Sequence, residues 1–394
     1  MSDIMTDLLY SDKQIDGMDL KPDSFPIFQS TAYTMSDMDE VGEVYGKKER
    51  GFTYIRRGNP NRTVLENTIT MLEKGEASLC YGSCMSAILS IMIKELKAGD
   101  HVVCNSHIYG ETKHLLQEVF EKFGVETTYT DFTDVSNVKA AVRENTKVMF
   151  SEVLSNPTLR LADVKSIAEI AHSVGAVLVV DNTFTTPLAF TPFTAGADYV
   201  VNSLTKYING HNDASGGSVT ASKAKIDALF DTALMCGGLF TSPFDAWLIH
   251  RGVQTLAVRM EKQMETSCKL AEFLEKHDLV DKVYHPSTCG YEQRDLADSM
   301  FEKGKYTAIL SFVASEDMEK VNQFMKRLKY AQYAPTLGGI RTTLSHPVTS
   351  SHASMHDADR RKIGITPGMI RVSVGMENAD DLIKDFEQAL EAFR

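Results

Sequence analysis

From about residue 60 to residue 255, stretches with helical spacing of apolar residues alternate with short runs that are apolar almost throughout. Asn61–Glu73 predicts a helix, with Val64, Leu65, Ile69 and Leu72 on one face, and Met85–Leu96 predicts another. Strand-like His101–Cys104, helix-like Thr112–Phe123 and strand-like Glu126–Tyr129 follow. Next come helix-like Val135–Val142, strand-like Val148–Val153, helix-like Asp163–Val174, and strands at 177–181 and 199–202. A strand apolar on both faces needs cover on both. The alternation therefore specifies an α/β fold with a mostly parallel sheet between two helical layers.

The flanks differ. Residues 1 to about 58 show little periodicity but many turn formers and aromatics, among them Phe25, Phe28, Tyr33 and Tyr54. Such an arm is expected to pack on something, for instance a partner subunit. From Ala246 to His277 a single long helical pattern containing the one tryptophan, Trp247, leads into a smaller unit. There Ala308–Val313 and Ile370–Val374 read as strands, and Met318–Leu328 and Asp380–Phe393 as helices, an α+β cap. The expected organisation is an arm over 1–58, a main domain over 59–256 and a C-terminal domain over 257–394, as suits 394 residues.

Charge narrows the partners. With a net charge of −12 and no basic run, the chain is a poor ligand for nucleic acid or an anionic membrane. No apolar stretch reaches the roughly 18 residues that a membrane span needs. Met1–Asp7 is acidic and polar, unlike a secretory signal. The six cysteines are scattered without metal-ligand spacing, so reduced thiols, a cytoplasmic setting and no metal are expected.

Chemistry gathers where two strands end. Lys206 lies in Ser203-Leu204-Thr205-Lys206-Tyr207, just after the run 197–202, and Asp181 closes the run 176–181. A lysine after a strand is ordinarily a surface residue, and an aspartate there is often a helix cap. The two together suit a pyridoxal 5′-phosphate site, with the aldehyde on the lysine and the pyridine nitrogen on the aspartate. Tyr81-Gly82-Ser83-Cys84-Met85-Ser86-Ala87 precedes a helix and could cradle the phosphate on backbone N–H groups, although many helices begin this way. Tyr54 and Arg56 alternate onto one side of an extended segment, as a phosphate clamp or as a solvated basic turn. Arg371 is set in a strand, where a buried guanidinium calls for an anion: a substrate carboxylate or a structural partner.

These residues also form a known pattern. Tyr54-x-Arg56-x-Gly58-Asn59-Pro60, Tyr109-Gly110, Ser155-Asn156-Pro157-Thr158, Val180-Asp181-Asn182-Thr183, Ser203-x-Thr205-Lys206-Tyr207, Gly210-His211 and Arg371-x-Ser373-x-Gly375 occur in that order. The chain thereby resembles, over nearly its whole length, the Cys/Met-metabolism pyridoxal-phosphate enzymes. That family has the aspartate-aminotransferase-like fold type I and includes γ-lyases, cystathionine γ-synthase and O-acetylhomoserine sulfhydrylase. The resemblance implies that Lys206 holds the cofactor and moves protons, Asp181 binds the ring nitrogen, and Tyr109 stacks on the ring. It implies a phosphate site at Ser83, Met85 (with Cys84 between them), Ser203 and Thr205, completed by Tyr54 and Arg56 of a neighbouring subunit. Arg371, Asn156 and Thr336 would bind the substrate carboxylate. The implied assembly is a homotetramer, a dimer of catalytic dimers.

The departures bear on substrate. Cys84 stands where the family's phosphate loop has glycine. Thr53, His114 and Pro335 stand where cystathionine γ-lyase has Glu, Arg and Glu, which argues against a second zwitterion in the pocket. Glu111 replaces the cysteine of methionine γ-lyases. Facing the pocket, it would favour a cationic tail; facing solvent, it is a helix N-terminal acid. The expected reaction is α,γ-elimination on an L-amino acid such as methionine or homocysteine. γ-Replacement, and elimination from a cationic γ-oxy substrate such as canavanine, are the alternatives.

Overall fold

The computed structural model describes residues 3–11, 22–46, 52–236, 239–353 and 355–394. A seven-stranded sheet lies at its centre: β1 (Ala77–Tyr81), β2 (His101–Asn105), β3 (Glu126–Thr130), β4 (Thr146–Glu152), β5 (Val177–Asp181), β6 (Tyr199–Asn202) and β7 (Gly217–Ala221). The spatial order is β1-β7-β6-β5-β4-β2-β3. β2 to β6 pair in parallel, and β7 runs antiparallel to β1 and β6. The expected mostly parallel α/β sheet is present.

Its two faces show the period of two. Met149, Leu178, Val180 and Val200 pack into one core with Leu65, Ile69 and Ile167. Val148, Phe150, Val179 and Val201 pack into the other with Ile88, Ile91 and Leu229. The helix Pro60–Glu73 begins where Asn59 accepts the N–H groups of Asn61 and Arg62, with proline in the first turn.

A second sheet is built from β8 (Lys282–Tyr284), β9 (Ile309–Val313), β10 (Gln332–Tyr333), β11 (Thr343–Ser345) and β12 (Met369–Ser373), in the order β10-β11-β12-β9-β8. Phe312, Phe324 and Phe386 meet on one of its faces among the helices Met318–Arg327 and Ala379–Leu390. Ile370 and Val372 join that core, so Arg371 between them projects to the other side.

Three expectations need correction. The pattern over Ala246–His277 is two helices, Pro243–Val253 and Leu256–Glu275. At the break, the Gly252 carbonyl accepts from Thr255 N–H and from the Arg259 guanidinium, which also holds the Tyr207 and Ile208 carbonyls. The run Thr112–Phe123 divides into an α-helix (Gly110–Leu115), a π turn (Leu116–Phe120) and a 3-10 turn (Glu121–Phe123). The arm, expected to be irregular, contains the helices Ile4–Leu9 and Met38–Gly46. β1, β7 and the helix Lys223–Met235 are not among the elements expected from the sequence, although Ile226, Leu229, Phe230 and Ala233 stand at helical spacing on that helix. β1 carries Ser78 and β7 carries Ser218 and Thr220, and the buried Ser78 and Thr220 hydroxyls satisfy each other at 2.7 Å. Among the described residues no helix is long and apolar enough to cross a membrane.

Candidate active site

A cavity of about 760 Å³ opens above the C-terminal ends of β4, β5 and β6 and is closed on one side by the second sheet. Asp181, Lys206, Tyr109 and Arg371 all line it, with Ser83, Cys84, Met85, Ser203, Thr205, Asn156, Thr336 and Glu111. Ligands in open α/β sheets bind at this end of the strands.

Lys206 sits in the turn after β6. Its N–H bonds the Ser203 carbonyl at 3.1 Å and its carbonyl accepts Gly210 N–H at 2.8 Å. Nζ donates to Thr336 Oγ1 at 3.4 Å. Burial, and then the charge of Arg371, hold this amine below the usual lysine range. The turn is pressed from the second sheet by Gly338, at φ +83°, where a Cβ would lie 2.5 Å from Tyr207 N. Only glycine fits there without strain.

Asp181 ends β5. Oδ1 accepts Thr183 N–H at 2.8 Å and Oδ2 faces Cys84 Sγ at 3.8 Å. Burial raises its pKa. Glu152, at the same level on the adjacent β4, is also buried and pushed well above the usual carboxylate range, by burial and then by Asp181. Its Oε1 accepts Tyr109 N–H at 2.6 Å. Glu152 is absent from the sequence reading; its place at the end of an apolar strand is the one signal it carries.

Ser83 starts the helix Cys84–Glu95, its Oγ accepting Ser86 N–H at 3.1 Å. The side chain at 84 is accommodated towards Asp181, and room for the loop comes from β7. Any Cβ on Gly217 would run into the Ser83 and Cys84 backbone. Thr205 Oγ1 is held by Gly216 N–H at 3.0 Å, and Ser203 N–H by Thr183 Oγ1 at 2.8 Å.

Arg371 is buried, 5% exposed. Nη1 donates to Asn156 Oδ1 at 3.0 Å and Nη2 to the Thr336 carbonyl at 3.2 Å, while Nε is buried with no partner among the described residues. Burial lowers its pKa to about 10, so it stays charged at neutral pH. Glu111 and His114, 4.0 Å apart, stand at the mouth, the glutamate side chain 61% exposed. Pro335, also singled out in the sequence, lines the cavity, whereas Thr53 does not. Tyr54 and Arg56 lie outside it as well. Tyr54 is exposed, and Arg56 reaches the Leu234 carbonyl at 3.4 Å.

The residues fit pyridoxal 5′-phosphate. There is an amine of lowered basicity for an aldehyde and a buried carboxylate for a ring N–H. A capped helix N-terminus suits a phosphate, and an arginine with a spare buried N–H suits a carboxylate. Fold and site suit the class of enzymes that work through a pyridoxal cofactor.

Comparison with known proteins agrees. The model of the Cys/Met metabolism PLP-dependent enzyme family matches residues 6–391. An L-methionine gamma-lyase of Fusobacterium nucleatum subsp. polymorphum is 37% identical, over 93% of each chain. A cystathionine gamma-lyase of Bacillus subtilis is 39% identical, over 93% of this chain and 94% of the relative. A crystal structure of a putative O-acetylhomoserine (thiol)-lyase from Campylobacter jejuni, carrying N'-pyridoxyl-lysine-5'-monophosphate, superposes with a TM-score of 0.93. It shares 30% identity, over 99% of this chain and all of that one. The chain belongs to the Cys/Met metabolism PLP-dependent enzyme family, and its cofactor is pyridoxal 5′-phosphate.

Proposed function

We propose that the protein is an α,γ-elimination lyase. It acts on an L-amino acid bearing a leaving group on its γ-carbon, methionine or homocysteine, and releases a 2-oxo acid, ammonia and the leaving group. One observation carries this reading: Lys206 Nζ and the Arg371 guanidinium converge on one residue, Thr336, at 3.4 and 3.2 Å. A substrate whose carboxylate lies on Arg371 and Asn156 then presents its α-carbon to the Lys206 amine. The bound cofactor, held by Lys206 and Asp181 with its phosphate at Ser83–Met85, Ser203 and Thr205, supplies an electron sink for the carbanion at that carbon. Lys206 takes the α-proton, and its lowered basicity keeps part of the amine neutral for that task. Tyr109, held by Glu152 through its backbone N–H, covers the ring and assists the leaving group. Burial, and next Glu111, raise the Tyr109 pKa, so it enters as a neutral phenol able to donate a proton.

Tyr54 and Arg56, outside their own cavity, complete the phosphate site of a second copy. The working unit is thus a dimer, and the assembly a tetramer of two such dimers in the cytoplasm. The six cysteines are free, as that compartment requires. A second reading has an observation of its own. Glu111 lines the cavity, so its carboxylate can meet a cationic γ-substituent.

The test is a 2-oxo acid release assay across methionine, homocysteine, cystathionine, O-acetylhomoserine and canavanine, with and without added thiol. Release from methionine or homocysteine alone supports elimination. Acetate release from O-acetylhomoserine only when thiol is added, with no 2-oxo acid formed, would replace it with γ-replacement. A preference for canavanine that Glu111→Gln abolishes would establish the cationic reading.

A further inference from the structure

Glu73, the last residue of the helix Pro60–Glu73, is wholly buried, and the chemistry above does not use it. It lies against the sheet face opposite the cavity. Asp181 shares a face with Val179 of one core, and Asn182 shares the other face with Val180. The same alternation turns Ser203 to the cavity and Asn202 away from it. On that far side a single oxygen, Glu73 Oε1, accepts Asn182 Nδ2 at 2.9 Å and Asn202 Nδ2 at 2.7 Å.

We propose that Glu73 is a positioning residue that fastens the ends of β5 and β6 together from behind. It thereby sets the separation between Asp181 and the Ser203–Lys206 turn. The inference rests on the reading that this cavity holds the cofactor.

The geometry places the tie where the sheet ladder runs out. Asp181 is level with Val201, and Asn182 N–H to the Val201 carbonyl, at 2.9 Å, is the last backbone bond between these strands. Beyond it no backbone bond among the described residues joins the segments that carry Thr183 and Lys206, and on the cavity side Thr183 Oγ1 accepts Ser203 N–H at 2.8 Å. Asn182 is held further by the Phe190 carbonyl at 2.9 Å and by the Thr185 hydroxyl. The arrangement leaves Glu73 Oε2 and Asn202 Oδ1 buried without partners among the described residues. Unpaired buried polar atoms are costly, and they are tolerated here where one oxygen links the residues next to Asp181 and Ser203. The Glu73 pKa is raised to about 7: burial raises it most, the two amides hold it down, and the charge of Asp181 raises it further. The tie is therefore stronger in the ionised form, because a charged acceptor binds N–H groups more tightly.

The experiment is titration of the full-length apoenzyme with pyridoxal 5′-phosphate, following the visible band, for wild type, Glu73→Gln and Glu73→Ala. The glutamine keeps an acceptor oxygen but never ionises. It should match wild type at about pH 6 and bind the cofactor several-fold more weakly at about pH 8, as a tie that cannot ionise requires. Glu73→Ala should raise the dissociation constant on the order of tenfold at both pH values, the scale of a misplaced binding group. A Glu73→Ala protein with a lowered melting temperature but wild-type affinity would make the residue merely structural and overturn the proposal. So would a Glu73→Gln to wild-type ratio that does not change with pH, and that ratio decides the matter if the alanine variant fails to fold. Wild-type apoenzyme that gains no visible band would instead overturn the cofactor reading beneath it.

Discussion

Replacing Arg371 tests the carboxylate anchor directly. The guanidinium is buried, holds Asn156 and the Thr336 carbonyl, and keeps Nε unpaired among the described residues. Arg371→Lys retains the charge but loses the fork, removing one charge-assisted hydrogen bond, about 1.5–3 kcal/mol. At 1.4 kcal/mol per decade this is a loss of about 10- to 100-fold in kcat/KM. Arg371→Ala leaves a buried carboxylate unpaired, about 3–5 kcal/mol, or about two to four decades. The loss should fall mainly on KM, because the carboxylate is held alike in ground and transition states. Steady-state kinetics should be run on an amino-acid substrate and on its carboxamide. If Arg371 meets the carboxylate, the penalty of Arg371→Ala shrinks towards unity on the amide, as a double-mutant cycle requires. An equal penalty on both substrates, or a KM within about twofold of wild type, would refute the assignment.

Other outcomes follow from the same geometry. Gly338→Ala forces a Cβ against the Lys206–Tyr207 backbone at positive φ. It should cost about 1–2 kcal/mol of backbone strain and about 1–3 of overpacking, read as a lower midpoint in denaturant. Lys206 is held below the ordinary lysine range, so cofactor uptake by the apoenzyme should accelerate through a pH lower than for free lysine. Between the lowered and the ordinary pKa the unfolded chain binds more protons, so this group adds stability as pH rises through that window. An uptake midpoint at the free-lysine value would contradict this. Arg56→Ala and Lys206→Ala proteins, each inactive, should recover activity when mixed and reassembled, since one intact shared site can form. No recovery in verified mixed oligomers would place Arg56 outside a neighbour's site.

Most of the sheet was legible because β2, β4, β5 and β6 are buried on both faces, and burial leaves an apolar run wherever it falls. β1 and β7 were not, because Ser78 and Thr220 satisfy each other only after residues 142 positions apart are paired. The break after Val253 was hidden for a similar reason. Arg259 supports it by reaching back to carbonyls of the Lys206 turn, and helical spacing records none of that. Lys206, Asp181 and Arg371 were legible from type and local motif and Tyr109 from the family resemblance, and the cavity gathers all four.

Local chemistry thus pointed to the cofactor and to the side chains proposed to hold it, since an aldehyde, a ring nitrogen and a carboxylate each require a particular side chain. The contacts that hold them emerged only on folding. Glu152 holds Tyr109 from 43 residues away, Asn156 meets Arg371 across 215, and Glu73 reaches Asn182 and Asn202 across 109 and 129. A buried carboxylate takes its role, and its proton affinity, from the donors that surround it, and those donors arrive from distant parts of the chain.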